Sequence, residues 1–201
     1  IGRKFLNAGP GYGGSCFPKD TLAISKTARD HKVQLRTVET VIQVNENRKR
    51  AMALRVLDAC NGSVRGKTIA VLGLAFKADT DDMRDSPAIP LIQALQDFGA
   101  TVRAYDPEAM DNAQGIFSHV TFCDDAMDAA TGADAVVILT EWQEFRELNL
   151  LKLRSRVAAP LLVDFRNLLS EDAAVASGFD YWCIGRKNSA LDLLGRPIAA
   201  E

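Results

Sequence analysis

The sequence predicts an α/β fold in which a mostly parallel sheet follows a loop and a long central helix. Two observations support this: a loop followed by helix-like patterns covers residues 1–62, and short apolar runs of strand length, separated by helix-like stretches, recur from Lys67 onward. Strands that alternate with helices are typical of βαβ units around a parallel sheet. A length of 201 residues suits one large domain or one domain with an appended piece. We therefore expect two parts, residues 1–62 and residues 66–201.

The first part is predicted to contain two helices after an opening loop. Pro18 stands where a helix begins, because proline is favoured at the first helical position, and helix-forming residues follow it. The stretch RTVETVIQVNENRKRAMALRVLDAC predicts a long second helix that ends at Asn61 and Gly62. The apolar positions along this helix are Val38, Val41, Ile42, Met52, Leu54 and Leu57.

The second part contains the predicted strands. The runs KTIAVLGL, TVRAYDP, DAVVILT, PLLVDF and FDYWCIG have strand length and strand composition. Parallel sheets bind ligands beyond the carboxyl ends of their strands. The turns after Leu72, Thr140 and Asp164 are therefore the expected place for a site.

Helices are predicted between these strands. SPAIPLIQALQDFG is interpreted as a helix with Ser86 as N-cap, Pro87 at its first position and Gly99 at its end. VTFC leads into an acidic helix from about Asp124, and one further helix is expected near QEFRELNLLKL. These segments complete the alternating pattern.

Composition excludes several classes of function. A formal net charge of −2 gives no basic field for nucleic acid or an acidic membrane, and no apolar run is long enough to span a bilayer. With only two histidines, no metal-ligand spacing is present, so no metal is expected. The cysteines lie far apart without a CxxC pair, which favours reduced thiols in a cytoplasmic protein; they are Cys16, Cys60, Cys123 and Cys183.

The stretch GPGYGGSCFPKD, residues 9–20, allows three interpretations: a phosphate-binding loop, a cysteine nucleophile on a shaped turn, or an irregular connection. Gly9, Gly11 and Gly14 match the dinucleotide fingerprint G-x-G-x-x-G. That fingerprint must follow a hydrophobic strand, however, and GRKFLNA is a poor strand. The dinucleotide-loop interpretation is therefore disfavoured.

The cysteine interpretation has more support. Gly13 and Gly14 allow close approach of a ligand to the backbone, and Pro18 predicts a helix that opens just after Cys16. A cysteine near a helix N-terminus with Lys19 beside it has two causes for a stabilised thiolate. Asp20 is placed to orient a water molecule or to accept a proton. An ordinary small residue on a glycine turn remains the alternative, and the other three cysteines are expected to be buried structural thiols.

A second set of candidates follows the predicted strands. Phe76, Lys77 and Arg84 lie at the expected ligand-binding edge, before a helix N-terminus that suits anions, which favours a phosphate-bearing ligand. Several aspartates in the same loop equally favour a solvated, charged connection. Arg166, in DFRN, is positioned either for a phosphate or for a carboxylate partner.

Taken together, GPGYGGSCFPKD, NENRKR, GLAFKADTDDMRDSP, YDP, VVILTEW and DFRN, in this order and spacing, resemble the UDP-glucose/GDP-mannose dehydrogenase family. These nucleotide-sugar dehydrogenases oxidise a sugar alcohol to an acid. The resemblance covers nearly the whole chain, apart from NSALDLLGRPIAAE at its end. Phe17 and the TEW stretch look like the UDP-glucose branch, and the GDP-mannose and UDP-N-acetylmannosamine branches are the alternatives.

The resemblance implies a domain plan. Family members carry an N-terminal domain that binds NAD, a long dimer-forming central helix, and a C-terminal Rossmann-like domain. For this chain the resemblance implies that residues 66–201 form a doubly wound parallel sheet that binds the UDP-sugar. It also implies a homodimer through the helix at residues 38–59. The chain has no initiator Met, no signal core and none of the family's dinucleotide fingerprint, so we expect the C-terminal half of an enzyme that is inactive on its own.

The resemblance also implies a mechanism. Cys16 would add to an aldehyde, and the resulting thiohemiacetal would be oxidised to a thioester that water hydrolyses with the help of Asp20. The residues matching the substrate site are Asn7, Ala8, Gly9, Pro10, Gly11, Tyr12, Gly13, Phe76, Lys77 and Arg166. Those matching positions that face NAD are Phe17, Pro18, Lys19 and Arg84.

Two other classes of function remain open. A detached piece of such an enzyme could serve only for nucleotide-sugar binding and dimerisation. A thiol hydrolase that uses Cys16 has little support, because neither histidine lies in a recognisable partner motif.

Overall fold

The computed structural model describes residues 2–186, so the closing stretch NSALDLLGRPIAAE lies outside the described residues. A short 3₁₀ helix, Arg3–Leu6, opens the described chain. The helices are α1 (Phe17–Asp30), α2 (Arg36–Ala59), α3 (Ala88–Asp97), α4 (Met110–Gln114), α5 (Ala126–Ala130), α6 (Gln143–Arg146), α7 (Leu150–Arg156) and α8 (Glu171–Ala176). The strands are β1 (Thr68–Leu72), β2 (Thr101–Tyr105), β3 (Val120–Phe122), β4 (Ala135–Ile138), β5 (Leu161–Asp164) and β6 (Asp180–Cys183).

The strands form one sheet in the order β3-β2-β1-β4-β5-β6, and every neighbouring pair is parallel. The chain builds outward from β1 through β2 to β3, then returns to β4 on the other side of β1. The gap between β1 and β4 is thus the topological switch point at which such sheets bind ligands. The predicted Rossmann-like, doubly wound parallel sheet is confirmed.

The core lies in the central strands. All four residues of β4 and of β5 are buried, as are Ile69 and Leu72 of β1. Strands buried on both faces appear in sequence as continuous apolar runs, which is why KTIAVLGL, DAVVILT and PLLVDF were recognisable.

The long helix α2 divides its residues between two environments. Its second half packs Met52 and Val56 into the core against the sheet. Val41, Val44 and Leu54 are exposed, although such side chains are apolar. The apolar pattern of this helix therefore covers the sheet and also presents a surface to solvent.

The structure corrects several details of the helices. The helix near QEFRELNLLKL is two helices, because the side chain of Asn149 accepts a hydrogen bond from the amide of Lys152 and starts α7 anew. Helix α3 begins at Ala88, one residue later than predicted, although Pro87 already has helical dihedral angles and the Ser86 hydroxyl accepts from the Ala88 amide. The strand β3 and the short helices α4 and α8 have too few residues to show a period in sequence.

Across residues 2–186, no helix combines the length and the apolar character that crossing a bilayer requires.

Candidate active site

Arg166 crosses the carboxyl edge of the sheet and connects three turns. It follows β5, and its Nε donates to the carbonyl of Leu139 at 2.6 Å, while Nη2 donates to the carbonyl of Phe76 at 3.0 Å. Its Nε also lies 3.0 Å from Glu141 Oε2, a contact that is electrostatic because the hydrogen bond goes to Leu139. Of the two partners considered for Arg166, the carboxylate is therefore present within the chain.

The position of Arg166 is fixed by burial and by Asp164. Its side chain is only 12% exposed, and burial lowers the pKa of the guanidinium, an effect that Glu141 and Asp164 oppose. Asp164 Oδ1 accepts the amide of Arg166 at 2.8 Å, and Oδ2 accepts the hydroxyl of Tyr181 at 2.8 Å. This buried carboxylate therefore shapes the turn that presents Arg166.

The glycine loop packs directly on this edge. A Cβ at Gly9 would lie 2.8 Å from Arg166 Nη1, and one at Gly13 would lie 2.4 Å from the carbonyl oxygen of Asp85. Gly14, at φ +90°, leaves no room between its backbone and the ring of Phe76, and its amide donates to the carbonyl of Arg84 at 2.7 Å. We expected the glycines to allow close approach of a ligand, but their neighbours here are residues of the same chain.

The other side of the loop is tied to α2. Asn45 accepts the amide of Tyr12 at 2.8 Å and donates to its carbonyl at 3.0 Å, and Arg48 Nε donates to the carbonyl of Gly9 at 2.9 Å. A Cβ at Gly11 would lie 2.9 Å from both Asn45 and Lys49. Sequence reasoning missed these contacts, although buried Asn45 and Lys49 belong to the quoted NENRKR stretch.

Further predicted substrate-site residues line the path of the loop. Asn7 is exposed, Ala8 is half-buried and Pro10 is buried, so the chain passes from solvent to the sheet edge over these residues. The structure therefore brings Gly9 to Arg166 and Gly13 to Phe76, whereas Gly11 and Tyr12 contact α2.

Cys16 stands at the N-terminus of α1 and is exposed. The helix begins at Phe17, directly after it, as the position of Pro18 predicted. Its Sγ lies 3.6 Å from the hydroxyl of Ser15. Lys19 and Asp20, in the first turn, pair at 3.4 Å with side chains 70% and 67% exposed.

The remaining cysteines differ from Cys16. All three are buried, as predicted, and burial raises the pKa of each thiol; they are Cys60, Cys123 and Cys183. A raised pKa and lack of access both disfavour the thiolate. Among the described residues Cys16 is the exposed thiol.

An aromatic group lies beside Cys16. The ring of Phe17 meets that of Tyr12 edge to face at a centroid distance of 4.5 Å. The ring centroid of Phe5 lies 6.3 Å from that of Phe17. Phe17 nevertheless remains exposed. The site therefore has an apolar wall next to its thiol.

Two exposed cations lie on the loop after β1. Arg84 pairs with Asp82, with Nη2 to Oδ2 at 2.8 Å, and this hydrogen-bonded pair raises the pKa of Arg84 and lowers that of Asp82. Arg84 lies close to the loop that leads to Cys16, because its carbonyl accepts the amide of Gly14 at 2.7 Å. Lys77 is exposed, with Nζ 5.6 Å from the ring centroid of Phe76. Both cations are available to a ligand.

Comparison with known proteins gives consistent matches. The UDP binding domain of the UDP-glucose/GDP-mannose dehydrogenase family matches residues 70–171, and the central domain of the same family matches residues 1–47. The UDP-glucose 6-dehydrogenase of Rhizobium meliloti is 58% identical over 92% of this chain and 43% of its own length.

Solved structures agree with this. A UDP-glucose dehydrogenase from Pyrobaculum islandicum superposes with a TM-score of 0.76 at 33% identity, covering 90% of this chain and 40% of that one. A UDP-D-ManNAc dehydrogenase from Pyrococcus horikoshii gives 0.72 at 32% identity, covering 89% and 40%. The chain thus spans about two fifths of the length of these relatives. With both family models matched in order and the fold shared, the chain belongs to the UDP-glucose/GDP-mannose dehydrogenase family.

Proposed function

We propose that this chain supplies the nucleophile and the nucleotide-sugar site of an NAD-dependent dehydrogenase that oxidises UDP-glucose to UDP-glucuronate. The observation that carries the proposal is the contact between the glycine loop that leads to Cys16 and the carboxyl edge of the sheet. Exposed Cys16 ends a glycine loop whose Gly9 and Gly13 pack against Arg166 and Asp85. The segment that carries the thiol thus packs on the ligand-binding edge of the sheet. In this proposal residues 1–62 hold the thiol and the dimer helix, and residues 66–201 form the UDP-sugar domain.

Cys16 acts as the nucleophile on the aldehyde that the first oxidation of the C6 alcohol produces. Its sulfur bonds to the aldehyde carbon, and the oxygen becomes the hydroxyl of a thiohemiacetal. The thiohemiacetal still carries a hydrogen on that carbon, so its oxidation gives a thioester. Water then attacks the thioester, with Asp20 as the proton acceptor, and the acid and the free thiol are released.

NAD is proposed to bind beside Cys16, next to residues that suit a dinucleotide. Lys19 and Arg84 are exposed cations for a pyrophosphate, and exposed Phe17 offers an aromatic surface beside Pro18 and the thiol. NAD bound there would supply the hydride acceptor, one molecule for each of the two oxidation steps, so that two NAD would be reduced in the four-electron oxidation. The residues of this chain hold and orient the reacting groups.

The nucleotide sugar binds at the carboxyl edge. Lys77 is an exposed ammonium that binds a diphosphate as a point charge. Arg166 stays in its buried network and keeps the carbonyl of Phe76 and the loop around Gly9 in place. The loop from Asn7 to Gly13 supplies backbone groups to the sugar.

The chain functions as a homodimer through α2, the helix that contains residues 38–59. The large apolar side chains exposed on α2 are between 42% and 57% exposed and provide an apolar surface for a second copy; they are Val41, Val44 and Leu54. The central helix of family members forms their dimer in the same way.

The alternative substrate is UDP-N-acetylmannosamine. The similarity to the Pyrococcus horikoshii UDP-D-ManNAc dehydrogenase, at a TM-score of 0.72, favours it over other candidates. The identity of 58% to the Rhizobium meliloti UDP-glucose 6-dehydrogenase favours UDP-glucose more strongly.

The proposal is tested by supplying the rest of the enzyme. This chain replaces the matching segment of the Rhizobium meliloti relative, and NADH formation is measured with UDP-glucose, UDP-N-acetylmannosamine and GDP-mannose. We expect two NADH per UDP-glucose, and acid as the product. No NADH from any of the three sugars, in a chimera that folds, would overturn the proposal. Faster turnover of another sugar would correct the substrate.

A further inference from the structure

The residues just before Phe76 and Lys77 are held by side chains rather than by the sheet ladder. The amides of Leu74 and Ala75 donate to Asp106 Oδ2 at 2.7 and 3.0 Å. The carbonyl of Leu74 accepts from the Ser86 hydroxyl at 2.6 Å, and the carbonyl of Ala75 accepts from the Thr140 hydroxyl at 2.6 Å. All four polar backbone groups of this dipeptide, called here the 74–75 turn, are thus bonded to side chains.

Both carboxylate oxygens of Asp106 accept hydrogen bonds from other residues of the protein. The residue is completely buried, and Oδ2 accepts a third bond from Trp142 Nε1 at 3.1 Å. Oδ1 accepts the amides of Glu108 and Ala109 at 3.0 and 2.8 Å. An ionised carboxyl has about four lone-pair positions, and this one receives five N–H donors.

This use of Asp106 differs from the one that the fold commonly makes of an acidic residue. In dinucleotide-binding sheets an acidic residue beyond the first helix accepts the ribose hydroxyls. Asp106 follows β2, beyond the first helix of this sheet, but its oxygens face the 74–75 turn and have no capacity left for a ribose. The carboxylate therefore shapes the binding edge and does not contact a ligand.

The three side chains come from different parts of the sheet edge. Asp106 follows β2, Ser86 precedes α3 and Thr140 follows β4, so the turn is fixed from three sides. Ser86 and Thr140 are each 1% exposed. Gly73, at φ +95°, adds to the restraint, because a Cβ there would lie 2.5 Å from the Cβ of Thr140. No water or ligand is needed to satisfy the turn.

We infer that Asp106, Ser86 and Thr140 are positioning residues for the UDP-sugar site: they hold the 74–75 turn so that Phe76 and Lys77 face the ligand before it binds. The inference rests on the proposed function for its ligand. A loop that is already ordered avoids the entropic cost of ordering on binding, so affinity depends on these bonds. Removal of one hydroxyl also leaves a buried carbonyl without a partner, which loosens the turn.

The test compares Thr140→Val, which replaces the hydroxyl by a methyl of similar size, with Thr140→Ser, which keeps the hydroxyl. Ser25→Ala is the matched control, because Ser25 is a buried hydroxyl between α1 and α2, bonded to Glu39 at 3.5 Å. Two quantities are measured on the 201-residue chain: amide hydrogen exchange at residues 74–77 without ligand, and the dissociation constant of UDP by calorimetry.

Thr140→Val is expected to raise the UDP dissociation constant about 3- to 10-fold, which is the effect expected for the loss of one hydrogen bond. Amide exchange at residues 74–77 should also become faster. Thr140→Ser should restore both to within about twofold, and Ser25→Ala should lower the melting temperature without changing either. If Thr140→Val does not fold, Ser86→Ala is measured in the same two ways.

The inference would be overturned if Thr140→Val changed neither the amide exchange at residues 74–77 nor the dissociation constant of UDP. A Thr140→Ser variant as weak as Thr140→Val would also overturn it, because the methyl and not the hydroxyl would then matter. If the unsubstituted chain does not bind UDP, the proposed ligand of this edge is wrong. The exchange data still decide whether the side chains fix the turn.

Discussion

The two sides of the candidate site are built in different ways. On the sheet-edge side, Asp106 and Thr140 are buried and Arg166 is only 12% exposed, and all three side chains make hydrogen bonds within the chain. On the cysteine side, Cys16, Lys19 and Asp20 are exposed at the start of one helix. The sheet edge is thus fixed by contacts within the chain, whereas the side chains around Cys16 are exposed to solvent. Substitutions on the two sides should therefore have separable effects on stability, binding and chemistry.

The largest expected effect is on chemistry alone. Cys16→Ser, in the chimera with the Rhizobium meliloti relative, should abolish formation of the acid, because the hydroxyl is a much weaker nucleophile than a thiolate. UDP-glucose should bind with an unchanged dissociation constant, since Cys16 is exposed. Chromatography of the product and calorimetry measure the two. Cys123→Ala is the control and should keep the activity. Persistent acid production by Cys16→Ser would remove Cys16 as the nucleophile.

Arg166→Leu should affect stability most. It leaves Glu141 without its cation and the carbonyls of Leu139 and Phe76 without donors, so the free energy of unfolding should fall by about 3 kcal/mol. Arg186→Leu is the matched control, because its pair with Glu171 is exposed, at 3.6 Å, and should contribute about 0.5 kcal/mol or less. Urea unfolding measures both, and equal losses would contradict a buried role for Arg166.

Lys77→Ala should affect binding without affecting stability. In the proposed site the exposed ammonium makes a charge-assisted contact to the diphosphate, so its loss should weaken UDP-sugar binding by about 1.5–3 kcal/mol. Lys152→Ala, at another exposed lysine, is the control for the change of net charge. Calorimetry of both variants gives the comparison, and an unaltered dissociation constant for Lys77→Ala would exclude it from the site.

Gly13→Ala tests the joint between the two sides, with the smallest expected effect. Its Cβ would lie 2.4 Å from the carbonyl oxygen of Asp85, so the loop must shift away from the sheet edge. We expect a loss of about 1–2 kcal/mol in the free energy of unfolding and faster alkylation of Cys16. Gly2→Ala, with nothing within 4 Å, should change neither. A Gly13→Ala variant as stable as the control would mean that the loop is not closely packed.

Sequence reasoning predicted the fold class and the features whose signals are local. Continuous apolar runs predicted the buried strands, and Pro18 predicted the helix that starts beside Cys16. The short helices α4 and α8 and the strand β3 were missed because a few residues cannot show a period. The break at Asn149 was missed because the helical pattern of the sequence continues across it. A single residue, whose side chain caps α7, divides the predicted helix into two.

The residues that hold the site together were harder to predict. Asn45 bonds Tyr12 across 33 positions, and Thr140 bonds Ala75 across 65. Such pairings depend on how the helices and strands pack, and the local sequence around each residue does not indicate its hydrogen-bond partner. Asp106 was quoted only as part of YDP, and its five donors could not be inferred from that tripeptide.

The attachment of the glycine loop to α2 has a mechanical consequence. The helix has 24 residues, or about 36 Å, and holds the loop near its middle through Asn45 and Arg48. Helix α1, which starts next to Cys16, packs on the same helix. Met52 and Val56 of α2 also pack into the core against the sheet. The segment that carries the thiol is therefore attached to the sheet twice, directly at Gly9 and Gly13 and indirectly through α2.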